Sequence, residues 1–503
     1  MSEGTDVRAM RGMLGAAAML LLAACGPKTA EQPSPDAAAA ADTVAADTVA
    51  GDTAAAAGAQ TAARPKETPP EGGRPADFTL PAKQEFTLDN GLEVTLVPWG
   101  DLPKALVQLR VNTGNADEGP NEVWLADLTG RLMEQGTTTR SAERLARDAA
   151  GLGGQVDVTV APNQTSITGD VLGEHVPAMV ALVADVARRP RFPAADLARL
   201  KTDMLRELSI QRSQPQPIAL EKFRQVMYGN HAYGRVFPTE AMLQGYALAQ
   251  VRGFYRRHFG ADRSHLYIVG RFDSAAVQRA VRSAFGSWPR GAAPDQPPPA
   301  PKSERQVHLI DRPNAPQSTI LLGLPVVDPS HPDYVALQVT NALLGGSFGS
   351  RITSNIRENK GYTYSPFSTL SSRLKDAYWA EQADVTTEAT GASLKEIFYE
   401  IDRLRDSAPP AEELRGIQNY LAGTFVLGNS DRSTITNQLA SLDLHGLPDS
   451  YMEEYVRKVY AVTPEEVQRI ARTYLDPRQM QIVVVGDKAK IREQVAAYGT
   501  VVE

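Results

Sequence analysis

One unit occurs twice in this chain and constrains its fold more than any other feature. At 251–259, Val-Arg-Gly-Phe-Tyr-Arg-Arg-His-Phe is followed by the apolar run Ser264-His-Leu-Tyr-Ile-Val-Gly. At 466–474, Glu-Val-Gln-Arg-Ile-Ala-Arg-Thr-Tyr is followed by Gln481-Ile-Val-Val-Val-Gly, about 215 residues further on. A helix-period stretch ending in an aromatic, then a short apolar run closed by glycine, reads as a helix feeding a buried strand. Its recurrence predicts an α+β fold: two similar domains in tandem pseudo-repeat, each a β-sheet packed with helices.

The text between the copies agrees. Asn90-Gly91 lies between two alternating runs, a hairpin pattern. Further strands read at 105–111 and 164–171, and helix-period stretches at 123–135, 141–152, 175–187 and 194–211. The stretch 290–301 holds five prolines and reads as a stiff linker. The expected organisation is a first domain over 79–290, a Pro-rich linker over 291–302 and a second domain over 303–503.

Arg8 and Arg11 precede an uncharged run at 13–24 that ends Leu22-Ala23-Ala24-Cys25-Gly26. This is too short for a hydrocarbon core that takes about 20 residues, so 1–25 reads as a signal peptide. Cys25 is the only cysteine, which excludes a disulfide framework within the chain and a cysteine-based zinc site. Its setting resembles the lipobox of bacterial lipoproteins. The resemblance implies lipidation at Cys25 and, with Gly26, anchorage in the cell envelope at an outer membrane facing the periplasm. Residues 26–78 are rich in Ala, Thr, Asp and Pro, with no aromatic before Phe78, and read as a disordered linker. The whole chain sets Lys+Arg 52 against Asp+Glu 59, a net charge of -7 that disfavours nucleic acid as a partner.

Seven histidines stand at 175, 231, 258, 265, 308, 331 and 445, none spaced as H-E-x-x-H, so spacing alone writes no zinc site. Gly345-Gly-Ser347-Phe-Gly349 matches the G-x-S-x-G nucleophile elbow, which would make Ser347 a nucleophile if a strand preceded it and a helix followed. Ser330-His-Pro instead looks like a helix start, an N-cap serine with proline in the first turn. That makes 345–349 a glycine turn between helices.

Read at length, Leu344-Gly-Gly-Ser-Phe-Gly-Ser-Arg-Ile-Thr-Ser-Asn-Ile-Arg-Glu-Asn-Lys-Gly-Tyr-Thr-Tyr resembles the C-terminal domain signature of the pitrilysin/insulinase-like zinc peptidases. That group includes the mitochondrial processing peptidases and the cytochrome-complex core proteins. Asn90-Gly91-Leu92, Gln135-Gly-Thr-Thr-Thr-Arg-Ser-Ala-Glu and Tyr228-Gly-Asn-His-Ala-Tyr-Gly-Arg are similar to further family landmarks, so the resemblance covers most of 79–503. Members bind zinc through H-x-x-E-H on a helix and a glutamate 76 residues after the second histidine. With Gln135-Gly136-Thr137 setting the register, those five positions fall on Asp127-Leu128-Thr129-Gly130-Arg131, and both histidines and the catalytic glutamate are absent. Glu207 keeps the place of the third ligand. One carboxylate cannot replace three protein ligands, so no metal or cofactor is expected on this chain. Asp127 and Arg131, four apart, are expected to pair on one helix face, with an ion pair near Glu207 filling the vacated pocket. The other reading is two unrelated solvated charges.

The resemblance also implies roles for Arg357 and Tyr364, seven apart, which in members contact the substrate backbone at the scissile bond. A guanidinium and a phenol can both donate to a carbonyl oxygen as it becomes an oxyanion. The alternative is an arginine at a helix end and a core aromatic. Gly361, Tyr362 and Thr363 are expected to shape the turn that presents Tyr364. Gly154, Gln155, Val156 and Asp157 resemble the edge strand along which members align extended substrate. Taken together, the resemblance implies the non-zinc subunit of a heterodimeric peptidase, inactive alone. Its homologous partner would carry H-x-x-E-H and the zinc, and the pair would take extended peptides. A structural or binding protein of the same fold, like the core proteins, is the alternative.

Overall fold

Two six-stranded sheets carry the chain, one from each half. The computed structural model describes residues 78–503. The expected signal segment 1–25, Cys25 with its lipidation, and residues 26–77 of the expected linker lie outside the described residues. The first sheet contains β1 (Gln84–Thr87), β2 (Glu93–Pro98), β3 (Lys104–Val111), β4 (Gln155–Val160), β5 (Thr165–Leu172) and β6 (Ser264–Gly270). The second contains β7 (Val307–Asp311), β8 (Gln317–Val326), β9 (Phe367–Arg373), β10 (Asp376–Thr386), β11 (Gln481–Gly486) and β12 (Val501–Val502). Their orders are β1-β2-β6-β3-β5-β4 and β12-β7-β11-β8-β10-β9. The duplicated apolar runs become β6 and β11, each between one parallel and one antiparallel neighbour. Both are covered on two faces, which is why they read as near-continuous apolar text.

The helices that position the site are α1 (Leu125–Met133), α2 (Ala142–Gly151), α3 (Val176–Arg188), α4 (Ala194–Ser213) and α5 (Pro215–Tyr228). Val176, Met179, Val180 and Val183 on one face of α3 join Val107, Leu109, Ile167 and Val171 in the first core. Helix α5 does something the repeat did not suggest: it leaves its own half. Ala219, Phe223 and Met227, four apart on one stripe, pack on Leu321, Tyr378, Ala380, Val483 and Val485 of the second sheet. The helix Arg432–His445 returns the arrangement, setting Ile435, Leu439 and Ala440 on Val97, Tyr267 and Val269 of the first. Described residues of both halves belong to one compact unit. The Pro-rich stretch is laid against the first half, with Gln296 donating to Asp117 at 2.8 Å and Arg263 to the carbonyl of Ala292 at 3.1 Å.

One local expectation is corrected. Ser330 does not cap the following helix, which runs Tyr334–Asn341 with Asp333 at its cap position. The backbone N–H and hydroxyl of Ser330 donate back to Asp328, at 2.9 and 2.7 Å, and make a turn instead. That helix continues π-helically over Ala342–Gly346, and a second π-helical stretch covers Thr353–Asn359. Gly345 and Gly346 therefore end the first of these stretches, and the turn between helices is narrower than expected, starting at Ser347 and including Gly349. Among the described residues no helix is long and apolar enough to cross a membrane.

Candidate functional site

Helix α1 carries Asp127 to Arg131, the five positions expected to correspond to the zinc motif. The helix starts at Trp124, a non-glycine residue at φ 67, held there by the buried Glu118. Glu118 accepts from the backbone N–H groups of Trp124 and Ala126 at 3.2 and 2.8 Å, satisfying two of the helix's open donors. Burial and the neighbouring Asp127 push its carboxyl well above the usual range. Asp127 is half-buried and its pKa is also raised, mainly by burial.

The expected pairing of Asp127 with Arg131 is corrected. Asp127 accepts from Asn115 Nδ2 at 2.7 Å, whereas Arg131 Nη2 lies 2.5 Å from Glu207 Oε2 on α4. The longer reach of the guanidinium takes it across to α4, where a carboxylate already stood. Between these two positions, Gly130 faces β4. A Cβ at 130 would sit 3.0 Å from Val160 Cγ2 and 3.3 Å from Val158 Cγ1, so two valines occupy the space that a side chain there would need. The residues present do not fit zinc. A guanidinium stands at the second histidine's position, bonded to the remaining carboxylate, and among the described residues no three His, Cys, Asp or Glu side chains form a group able to hold a metal ion.

The Gln135–Glu143 landmark has a physical account of its own. Asp185 on α3 is fully buried and accepts from Thr137 Oγ1 and Arg140 Nη1 at 2.6 Å and Thr139 Oγ1 at 2.7 Å. Burial raises its pKa, but these donors and Arg189 outweigh it and leave the carboxyl below its usual range.

Gly154 precedes β4, and Gln155, Val156 and Asp157 lie in it, at the outer edge of the first sheet. Gln155 and Asp157 project to solvent, joined by a 2.8 Å hydrogen bond. Sequence reasoning missed Glu134, the first residue past α1. Its Oε1 accepts from the backbone N–H of Val158 at 2.7 Å. Burial pushes its carboxyl to about 7; the Val158 N–H opposes that rise, Asp157 adds to it, and Arg131 opposes it. Only its place beside the Gln135 landmark could have singled it out.

In the second half, Asn355 and Ile356 point inward from the π-helical stretch. Asn355 Nδ2 donates to Glu400 and Glu396 at 2.8 and 3.1 Å. The next residue, Arg357, is thereby turned outward, its guanidinium carbon 4.5 Å from the Phe348 ring centroid and 4.9 Å from that of Tyr364. Its Nε lies 3.1 Å from Glu358. Tyr364 is 79% exposed and Phe348 70%, so Tyr364 is not a core aromatic. Gly361 at φ 65 makes the turn, and Thr363, bridged to Val385, donates to the carbonyl of Asp384 at 2.6 Å and pins it. A half-buried guanidinium beside an exposed phenol is a pair of donors that a peptide carbonyl could meet. Ser347 Oγ is buried without a hydrogen-bond partner, and no strand precedes it, so the elbow geometry is missing.

The pattern description for insulinase (peptidase family M16) matches residues 101–237, and that for the peptidase M16 inactive domain matches 247–421, together more than half of the chain. The chain belongs to peptidase family M16. An uncharacterized zinc protease of Mycobacterium tuberculosis is 28% identical to this M16 chain over 433 residues, 83% of this chain and 96% of that protein. A Helicobacter pylori protein named as a non-peptidase homolog is 21% identical over 395 residues, 77% of this chain and 90% of that one. Among solved structures, the peptidase M16 inactive domain from Pseudomonas fluorescens superposes with a TM-score of 0.74 at 25% identity. It covers 80% of this M16 chain and 98% of that one.

Proposed function

We propose that this M16 chain is the non-zinc, substrate-binding subunit of a heterodimeric peptidase and does not hydrolyse peptides alone. The observation that carries the reading is the Arg131–Glu207 pair: the one remaining ligand position is bonded to a cation of the protein's own. Zinc and the general base then belong to a homologous partner bearing H-x-x-E-H. Zinc supplies Lewis acidity and an activated water when bound there. On this chain, Arg357 and Tyr364 donate to the substrate carbonyl, and the β4 edge aligns extended peptide. The Cys25 setting supports attachment to a bacterial envelope, at an outer membrane facing the periplasm.

The test is co-expression with an H-x-x-E-H homologue. The pair is expected to co-purify and to cleave a peptide that neither cleaves alone. Arg357→Ala is expected to leave assembly intact and lower the rate about 10²–10³-fold, the scale for losing one oxyanion donor. Stoichiometric zinc in the isolated chain, by elemental analysis, or chelator-sensitive cleavage by it, would overturn the reading. The name of the Helicobacter pylori relative favours a second reading, a binding protein of this fold that takes part in no cleavage. An assembled pair whose rate ignores Arg357→Ala would support that one.

A further inference from the structure

Strand β4 ends its sheet, so one of its edges has no strand partner. In antiparallel pairing, alternate residues aim both backbone groups at the neighbour and the others aim theirs outward. The parity is fixed at the hairpin. The N–H of Ala161 donates to the carbonyl of Gln164 at 2.9 Å, so 155, 157 and 159 face β5. Gly154, Val156, Val158 and Val160 face away. Two of these outward donors are already used from within the chain: Gly154 N–H by the carbonyl of Ala149 at 3.1 Å, and Val158 N–H by Glu134 Oε1 at 2.7 Å. A peptide added as a seventh strand would place its own carbonyl oxygens at these donors. The Glu134 oxygen sits where one of those carbonyls would go.

Glu134 is held in that position. It follows α1 directly, and α1 is pressed onto β4 through Gly130 against Val158 and Val160. The charged groups that act on it are Asp157 on β4 and Arg131 on its own helix, the latter paired with Glu207 on α4. Neither of them bonds its carboxyl in place of Val158.

We propose that Glu134 is a built-in plug of the β4 edge: its side chain stands in for one peptide carbonyl at Val158, and an extended peptide adds to this edge only by displacing it. The inference rests on the reading of that edge as a peptide-binding surface and adds its regulation. A partner or substrate that draws Glu134 away opens the edge. Without one, the strand is shielded from casual pairing, as exposed edges in stable proteins are.

The test uses the full chain and a fluorescein-labelled strand peptide of alternating Val and Thr with terminal lysines, read by anisotropy and by hydrogen exchange over 154–160. Glu134→Ala is expected to bind about tenfold tighter than the natural chain, the weight of one hydrogen bond. Without peptide its 154–160 segment should exchange faster, and peptide should restore protection. Glu134→Gln, which keeps the size and a carbonyl acceptor, is expected between the two and guards against a folding artefact. Equal affinity and equal exchange in all three, with peptide protecting 154–160, would overturn the plug and leave the edge reading standing. Faster exchange in Glu134→Ala with no peptide bound by any variant would overturn the edge reading itself, and the proposal with it.

Discussion

Asp185 and Glu134 are carboxyls whose surroundings drive them in opposite directions. Asp185 has three side-chain donors from the Thr137–Arg140 turn, so folding lowers its pKa. Its contribution is complete above the unfolded-chain value of about 3.9 and is lost as pH falls through the lower folded value. Asp185→Ala leaves Thr137 and Thr139 without their acceptor, while Arg140 keeps Asp148, and should cost about 1–3 kcal/mol in urea unfolding at neutral pH. The gap between variant and natural chain should narrow in acid. For Glu134 the sign reverses. Unfolded, the group loses its proton near 4.5; folded, it holds it to about 7. Stability should fall as pH rises across that window and level off above it. Glu134→Gln should remove that slope, read from urea titrations at a series of pH values; an unchanged profile would mean the carboxyl titrates normally.

At the scale of elements, α1 and β4 are fitted to each other at Gly130. Gly130 lets the helix approach within contact of Val158 and Val160. Gly130→Leu should therefore destabilise by about 1–3 kcal/mol through overpacking, despite leucine's better helix propensity. Val160→Ala in the same chain should recover part of the loss, as a double-mutant cycle in thermal unfolding would show. Most element types were legible here. The 123–135, 141–152, 175–187 and 194–211 stretches became α1 to α4 with small shifts at their ends, because amphipathic period is a local property. Helix α5 lies outside the expected stretches, although Pro215 and Pro217 in its first turn and apolar residues at 219, 223 and 227 are a helix signal. The stretch lacks a polar face of ordinary width because it is covered by another sheet.

For the whole molecule, the exchange of α5 and the Arg432–His445 helix ties the halves together more firmly than a proline linker would. Phe223 is fully buried among second-sheet residues. Phe223→Ala should cost about 3–5 kcal/mol and shift one common unfolding transition by calorimetry, not a transition of one half. Two separated transitions would mean that each half folds on its own. The tandem plan, the central strands and the first four helices were all available in the amino-acid order, since each is a matter of local period or of counting along the chain. That Arg131 reaches Glu207 and not Asp127, that Glu134 covers Val158, and that each sheet borrows a helix from the other half were decided only in three dimensions. Those outcomes depend on which groups meet across folded distance, where side-chain reach and burial choose among partners that spacing leaves equivalent.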